Sequence, residues 1–301
     1  MSCLSSNRLR RLRLTMAAGV FLVCPAITSA QDTAPDSFRE LETKYIFGFT
    51  FGSDIGPEGE RELELTTKIN FQKRTGSYAA LEQEAELEYN PIDSFQIELG
   101  ASGVYHAISG VEGFDDFHGA NFGGLHSTFR YLLVARGPGS PIGLQIAVEP
   151  EWSRANDAGK LDTTFEAETR IIADTELVPD RLFAAFNLIY TPEIEREFGF
   201  PDWERASTLG VLGALTYRIT PIVALGAELE YYRAYEGLGL NTLAGDALYA
   251  GPTFHMQVTN KFILSAAFST QIAGHAAGSA NFLDLTDFSR NKALLRAVFE
   301  F

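Results

Sequence analysis

The stretch Asn291-Lys-Ala-Leu-Leu-Arg-Ala-Val-Phe-Glu-Phe301 decides the fold. Side chains of a β-strand alternate between its two faces. Every second residue here is apolar, as in Leu295, Phe299 and Phe301, whereas Lys292, Arg296 and Glu300 fall on the opposite face. The pattern predicts a strand with one face for an apolar medium and one for water, ending on an aromatic residue.

The same alternation recurs along the chain. In the first clear example, Leu63 and Leu65 face one way while Glu62 and Glu64 face the other. Each of these segments is close to the roughly 9–11 residues with which a tilted strand crosses a bilayer. Period-two alternation in many successive segments indicates an all-β chain that forms one transmembrane antiparallel β-barrel. The twelve segments are 60–72, 78–89, 95–107, 122–135, 142–154, 163–173, 181–192, 206–219, 221–235, 247–259, 261–273 and 291–301.

The terminal strand resembles the last strand of Gram-negative outer-membrane β-barrels of the porin-like superfamily. The resemblance implies that Phe301 belongs to the signal read by the barrel insertion machinery. It also implies periplasmic chaperones and outer-membrane lipid as partners. The segments Phe49-Thr-Phe-Gly-Ser-Asp-Ile-Gly-Pro-Glu-Gly-Glu60 and Glu230-Tyr-Tyr-Arg-Ala-Tyr235 are similar to a group of uncharacterised proteobacterial outer-membrane proteins. That similarity implies a fold and a location, but no activity.

The beginning of the chain predicts export. A basic region with arginines at 8, 10, 11 and 13 precedes a short apolar stretch, and small residues end at Ala30. This order is typical of a secretory signal peptide. We therefore expect residues 1–30 to be a signal peptide for the general secretory pathway, 31–59 a periplasmic lead-in and 60–301 the barrel. A lipid anchor at Cys24 is disfavoured, because Val23 stands where that motif needs a small residue.

Composition narrows the chemistry. The two cysteines, Cys3 and Cys24, lie in the predicted signal peptide, so we expect no disulfide and no thiol-based metal or redox site. Removal of that segment takes four arginines and no acid from a chain of net charge −15, which leaves −19. Such a charge disfavours nucleic acid as a partner. We expect no cofactor and no bound metal. Asp115, Asp116 and His118 are interpreted as a solvated loop.

Connections of alternating length orient the barrel. Short turns such as 90–94 and 137–141 are expected in the periplasm, and the longer 193–205 and 274–290 connections outside. Counting back from Phe301 gives twelve strands, whereas 44–52 as a further strand would make an odd number. We therefore interpret 44–52 as a lead-in at the barrel floor or edge, with fourteen strands as the alternative.

The inward faces are predicted to be rich in acid. Two interpretations remain open: carboxylates that pair with Arg and Lys in a filled, hydrated core, or surplus acid along a passage that favours cations. The predicted lumen-lining residues that would set selectivity are Glu62, Glu64, Lys68, Glu82, Glu84, Glu86, Glu98, Arg130, Glu149, Glu166, Glu168, Arg170, Arg218, Glu228, Glu230, His255 and Arg296.

The sequence thus predicts a porin-like channel for passive passage or uptake of small hydrophilic solutes, cationic or neutral. The alternative is a closed structural or binding barrel that acts through its extracellular loops. A lipid hydrolase is a remote alternative, because no G-x-S-x-G motif is present and His126 and Ser127 are adjacent, so they point to opposite faces of a strand. We therefore expect a protein that is not an enzyme, with no catalytic residues.

Overall fold

The chain folds into twelve β-strands in a computed structural model, which describes residues 42–137 and 139–301. Each strand alternates outward apolar and inward polar side chains. In chain order they are Arg61–Phe71 (β1), Ser77–Ile92 (β2), Phe95–Ser109 (β3), Phe117–Val134 (β4), Ile142–Ala155 (β5), Leu161–Val178 (β6), Leu182–Glu197 (β7), Glu204–Arg218 (β8), Val223–Glu236 (β9), Thr242–Thr259 (β10), Phe262–Ala276 (β11) and Asn291–Glu300 (β12).

The strands form one closed antiparallel barrel in which each strand pairs with its neighbours in sequence and β1 pairs with β12. The seam runs from Glu62 opposite Glu300 to Phe71 opposite Asn291. Closure leaves no strand edge without a hydrogen-bonding partner, which a bilayer requires because lipid offers no hydrogen bonds. The predicted fold class and the count of twelve strands are confirmed.

Most strands are longer than the alternating segments. The extra residues lie mainly towards the end with the longer connections, although β2 and β6 extend mostly at the end with the short turns. β4 begins at Phe117 instead of 122, and β10 at Thr242 instead of 247. The alternation of apolar and polar side chains is lost where both faces of a strand are exposed to water, although the backbone hydrogen bonds between strands continue. The loops before these two strands are therefore short, residues 110–116 and 237–241.

Residues 44–52 form no strand. They lie inside the barrel, where Tyr45, Ile46 and Phe47 are at most 1% exposed. This lead-in was expected at the barrel floor or edge. The closed ring offers it no edge to pair with, so its backbone and side chains are satisfied by the inner wall instead.

The predicted signal peptide and the first part of the lead-in, residues 31–41, lie outside the described residues. Within the described part of the chain, no helix is both long and apolar enough to cross a membrane.

Candidate functional site

The two faces of the wall differ as the alternation requires. Leu65, Leu295 and Phe299 point outward and are 36–49% exposed, whereas Glu84 and Glu98 point inward and are 8% and 1% exposed. The interior is therefore the polar space of the molecule, and it is where a functional site can be built.

The structure places the predicted lumen-lining residues on the inner wall at different depths. Glu62 and His255 line a cavity at the end with the short turns, which we call the inner end. Glu82 and Glu166 line cavities of the half with the longer loops, and Glu228 and Glu230 lie beside residues 48–50 or Lys292. Arg218 lies at the inner end of β8, where its guanidinium donates to the carbonyl of Pro221 at 2.7 Å. The central cavity is lined by Glu64, Lys68, Glu84, Glu86, Glu98, Arg130, Glu149, Glu168, Arg170 and Arg296.

Residues 43–55, which we call the plug, cross the half of the interior that lies at the end with the short turns. The ammonium of Lys44 contacts the carboxylate of Glu88 and donates to Gln96 Oε1 at 2.8 Å and to Glu98 Oε1 at 2.7 Å. The Tyr45 hydroxyl donates to Glu88 Oε1 at 2.6 Å. Lys44 and both carboxylates are almost fully buried. A buried charge needs such partners, because water no longer solvates it.

Side chains of the wall bind the plug backbone. The carboxylate of Glu228 accepts hydrogen bonds from the amides of Phe49 at 3.0 Å and Thr50 at 3.1 Å. Asn187 accepts from the amide of Phe51 at 2.8 Å and donates to its carbonyl at 2.9 Å. These side chains replace the strand neighbour that the plug lacks, so its buried amides are satisfied without a ladder.

A close approach fixes the identity of one plug residue. A Cβ on Gly48 would lie 2.6 Å from Cβ of Ala267 and would overlap the carboxylate of Glu228. A side chain at this position would therefore separate the plug backbone from the wall.

The far end of the plug is held by a second charged group. Asp174 accepts from the amide of Ser53 at 3.0 Å and from its hydroxyl at 2.9 Å. The guanidinium of Arg136, in the turn after β4, lies 3.0 Å from Asp54 and 2.9 Å from Asp174. Both ends of the plug are thus anchored to the wall by ion pairs.

Apolar and aromatic contacts complete the plug. Ile46 and Phe47 are fully buried against Phe183, Ala185 and Ala214 of the wall. The ring of Phe51 faces three guanidinium groups, whose carbons lie 4.7–4.8 Å from its centroid: those of Arg130, Arg170 and Arg296. Cations over a ring face are attracted by its quadrupole. The plug is therefore packed as a core element.

The central cavity above the plug has a volume of about 260 Å³, and six carboxylates and five cations line it. Each of its cations has a carboxylate partner at 2.7 Å or less: Lys68 with Glu84, Arg130 with Glu98, Arg170 with Glu168, Lys292 with Glu230 and Arg296 with Glu64. This layer matches the first interpretation of the sequence, a hydrated core with paired charges.

The outer end of the interior is different. A space of about 700 Å³, which we call the outer vestibule, opens towards the longer loops. Its cations are Lys73, which contacts Asp157, and Arg74, which donates to the carbonyl of Glu112 and lies over Phe114. The carboxylates on its wall are Glu151, Asp157, Asp162, Glu166, Glu193, Glu195, Glu204 and Asp287.

Strand register aligns part of this acid. Glu151 of β5 lies opposite Glu166 of β6, and Glu166 lies opposite Glu193 of β7. Neighbouring strands are about 4.8 Å apart, and like charges directly opposite one another are destabilising. Among the described residues, none of the three forms an ion pair. The vestibule wall therefore carries a row of carboxylates without cationic partners.

Two carboxylates in the outer connections also differ in whether a cation lies beside them. Lys73 holds the pKa of Asp157 below its usual value. Burial raises the pKa of Asp284 to about 6, and the neighbouring Asp287 adds to that rise. A carboxylate with a cation stays charged, and one without it tends to take up a proton.

The residues weighed for other chemistry have structural roles. His126 points inward to Glu86 at 3.0 Å, while the adjacent Ser127 points to the other face. In the loop before β4, Asp116 accepts from the amide of Gly110 at 2.7 Å. His118, which was predicted in a loop, belongs to β4 and lies 3.0 Å from the hydroxyl of Ser109.

Sequence reasoning missed Lys44 and Tyr45 as interior residues, and it missed Asp162, Glu193 and Glu195 as residues that line the outer vestibule. The signal for Lys44 was present, because a lone cation stands in an otherwise apolar segment before an acid-rich wall. The vestibule gave no local signal, because its lining residues come from different strands and loops.

Comparisons with known proteins agree with this architecture. The model of the Family of unknown function (DUF6662) matches residues 40–301, and the chain belongs to that family. A search among curated proteins found no match.

Solved structures are similar in fold at low sequence identity. An outer membrane channel from Pseudomonas putida F1 has a TM-score of 0.54 at 12% identity, over 83% of this chain and 98% of that one. The β domain of the Bordetella autotransporter BrkA has a TM-score of 0.53 at 14% identity, over 81% and 100%. The NanC porin has a TM-score of 0.50 at 8% identity, over 79% and 100%. The predicted resemblance to outer-membrane β-barrels is thereby confirmed for the fold.

Proposed function

We propose that this member of the family is an outer-membrane channel that admits small hydrophilic solutes, cationic or neutral, from outside the cell. The observation that carries the proposal is the outer vestibule, an open space inside a closed barrel whose wall is lined by unpaired carboxylates. The general secretory pathway would export the chain, and the barrel insertion machinery would place it in the membrane.

Charge sets the expected preference for cations. Fixed charges of one sign in a cleft with low-dielectric walls concentrate mobile ions of the opposite sign. Glu151, Glu166 and Glu193 form such a wall, and Glu82 continues it inward beside Asn70. Anions would be repelled before they reach the central cavity, and small neutral solutes would be limited by size alone.

In this proposal the plug determines whether a solute can pass through the periplasmic half of the interior. Its C-terminal side is tied to the barrel, since Gly59 donates to the carbonyl of Asn90 at 2.7 Å and Asn90 donates to that of Glu60 at 3.1 Å. The plug can therefore leave the interior only by moving as a segment about its fixed attachment to β1. Passage of a solute through the described interior requires this movement or a narrow route beside the plug.

The same plug favours a second candidate, the closed structural or binding barrel that acts through its outer loops. Its specific support is the buried ion pair of Lys44 with Glu88 and Glu98, because such a contact would hold the plug in the interior permanently. The two candidates differ in one property, the conductance of the intact chain.

Planar-bilayer recording tests the proposal. The mature chain is compared with a variant in which residues 43–55 are replaced by a Gly-Ser stretch of equal length. We expect a small, cation-preferring conductance for the mature chain and a several-fold larger one for the variant. A matched control replaces residues 279–283 of the outer loop with Gly and Ser and should leave the conductance near that of the mature chain.

The possible results separate the candidates. No conductance from either chain would support the closed barrel and overturn the channel. A conductance that prefers anions would contradict the role given to the vestibule carboxylates. Recovery of the protein in the inner-membrane or soluble fraction of cells would contradict the proposed location.

A further inference from the structure

The outward wall of β5–β8 carries a group of arginines at the end with the longer loops. The structure describes all four strands, and only three of their outward positions are charged: Arg154 of β5, Arg196 of β7 and Arg205 of β8. No acid faces outward from these strands. In a chain of net charge −15, a group of three cations on an otherwise uncharged and mostly apolar surface needs a physical reason.

Strand register brings the three guanidinium groups to one patch. Phe165 of β6 lies opposite Ile194 of β7, and Ile194 lies opposite Arg205. Arg196 is the next outward residue after Ile194, and Arg154 is the last outward residue of β5, on the other side of β6. Because neighbouring strands are about 4.8 Å apart, the patch is roughly 14 Å wide, the width of three strand spacings.

The guanidinium groups of this patch have no carboxylate partner. Among the described residues, Arg154, Arg196 and Arg205 form neither an ion pair nor a side-chain hydrogen bond. The guanidinium carbon of Arg154 lies 6.0 Å from the ring centroid of Trp152, and that of Arg196 lies 4.7 Å from the ring centroid of Trp203. A ring face orients a guanidinium but leaves its N–H groups available, so these donors can bind a further partner.

The surface next to the arginines is apolar. The rings of Phe165 and Trp203 are both exposed, with centroids 6.2 Å apart. Exposed Phe186 and Leu188 continue this surface along β7 towards the inner end. Basic and aromatic residues at the edge of an apolar band mark the boundary between lipid headgroups and acyl chains. A ligand that fits this surface is therefore anionic at one end and apolar at the other.

We propose that Arg154, Arg196 and Arg205 bind the anionic, phosphate-bearing headgroup of a membrane lipid, whose acyl chains lie along Phe165 and the apolar wall beside it. The lipid belongs to the leaflet at the end with the longer loops, the outer leaflet in the predicted orientation. Guanidinium groups bind phosphate oxygens through paired N–H donors, and such charge-assisted hydrogen bonds are strong. A free phosphate ion would use the arginines but not the apolar wall, so we assign the lipid.

Quenching of tryptophan fluorescence by brominated lipids tests the proposal. The two tryptophans of the chain, Trp152 and Trp203, both contact arginines of the patch, so their emission reports its occupancy. The mature chain is reconstituted into bilayers with increasing fractions of brominated phosphatidic acid or brominated phosphatidylcholine. We expect phosphatidic acid to reach half-maximal quenching at a mole fraction at least about tenfold lower, since each basic residue near the surface adds to its attraction.

Substitutions locate the site. Arg196→Gln and Arg205→Gln should each reduce the preference about fivefold, the effect of one basic residue next to an anionic membrane surface. Replacement of all three arginines by glutamine should abolish it. The matched control is Arg61→Gln, because Arg61 also faces outward, 5.6 Å from the ring centroid of Tyr89, but at the inner end of the barrel. This variant should keep the full preference.

Three results would overturn the site: equal quenching by the two lipids in the mature chain, an undiminished preference in the triple variant, or a loss of preference in Arg61→Gln. Loss of the preference in inorganic phosphate, but not in chloride of equal ionic strength, would identify the free ion as the ligand and contradict the lipid. Folding of each variant is checked by the heat-dependent shift of barrel proteins on gels. If the triple variant fails to fold, the single variants decide. Conduction plays no part in this test, so its outcome is separate from that of the bilayer recording.

Discussion

The two ends of the interior treat carboxylates in opposite ways. Around the plug, Glu88 and Glu98 are buried and form ion pairs with the ammonium of Lys44, and Glu98 also forms one with Arg130. In the outer vestibule, Glu166 lies between Glu151 and Glu193 and has no cationic partner among the described residues. The same residue type therefore holds a buried segment at one end of the barrel and lines an open space at the other.

Paired and unpaired charges on the barrel wall have different physical consequences. Paired charges are fixed in place, and a buried pair strongly resists the loss of one partner. Unpaired charges demand mobile counter-ions, which makes their surroundings sensitive to pH, salt and solutes. Substitutions at the two ends should therefore differ in size and in sign.

The largest effect is expected for Lys44→Met, which removes the ammonium but keeps the length of the side chain. Breaking a buried ion pair costs about 3–5 kcal/mol, enough to expose the plug at least about 100 times more often. The measurement is the rate at which a maleimide labels Ser53→Cys, a buried plug position in a mature chain that otherwise has no thiol. Lys160→Met, which removes a half-exposed ammonium, is the control. Equal labelling rates in the two variants would remove Lys44 as an anchor.

A smaller effect of the same kind is expected for Asn187→Ala. Its side chain both accepts from and donates to the backbone of Phe51, and an unsatisfied buried polar group costs about 1–3 kcal/mol. The maleimide assay should show labelling faster by about tenfold. Asn281→Ala, an exposed position in the outer loop, should leave the rate unchanged. Unchanged labelling in Asn187→Ala would show that the plug does not depend on its backbone contacts.

At the outer end, the expected effect depends on pH. The pKa of Asp284 is raised to about 6, so the folded chain binds this proton more tightly than the unfolded chain. The stability from this group is full below the unfolded pKa near 3.8 and is lost as the pH rises through 6.

Asp284→Asn should therefore be more stable than the parent chain at pH 7, by on the order of 1 kcal/mol, and about equal to it at pH 4. Thermal unfolding at both pH values measures the difference, with Asp115→Asn as the control. A variant that is less stable at pH 7 would show that the charged form of Asp284 is the stabilising one.

The smallest effect should have the opposite sign to those at the plug. Glu166→Gln removes a charge that faces two others, and relief of directly opposed like charges contributes about 0.2–1 kcal/mol. We expect a slightly higher unfolding midpoint in denaturant at low salt, with the gain reduced at high salt. The matched substitution at the plug, Glu98→Gln, should lower the midpoint. If both substitutions destabilise the barrel, the contrast between its two ends is wrong.

The barrel could be predicted from sequence because its signal is local. Leu63 and Glu64 are neighbours in the chain, and their alternation alone separates the outer from the inner face. The number of alternating segments and the expectation of an even number of strands then predict the count of twelve that the structure shows.

The site could be predicted only in part, because it depends on register and on enclosure. Tyr45, Phe47 and Phe49 alternate as a strand does, and nothing local shows that the ring of twelve closes without them. The inward direction of Glu166 follows from its own strand. Its alignment with Glu151 and Glu193 requires the offset between strands, which turns and bulges set over the whole sheet.

The seam between β1 and β12 has a consequence for how the molecule is made. The ladder from Glu62 to Phe71 joins the first strand to the last, and β1 follows the plug after only a few residues. Ring closure must therefore wait for the end of the chain, and contacts of such long sequence separation make folding slow. Until then the sheet is an open ribbon with its two outermost edges bare, and strands of other chains can pair with those edges for as long as the ring remains unclosed.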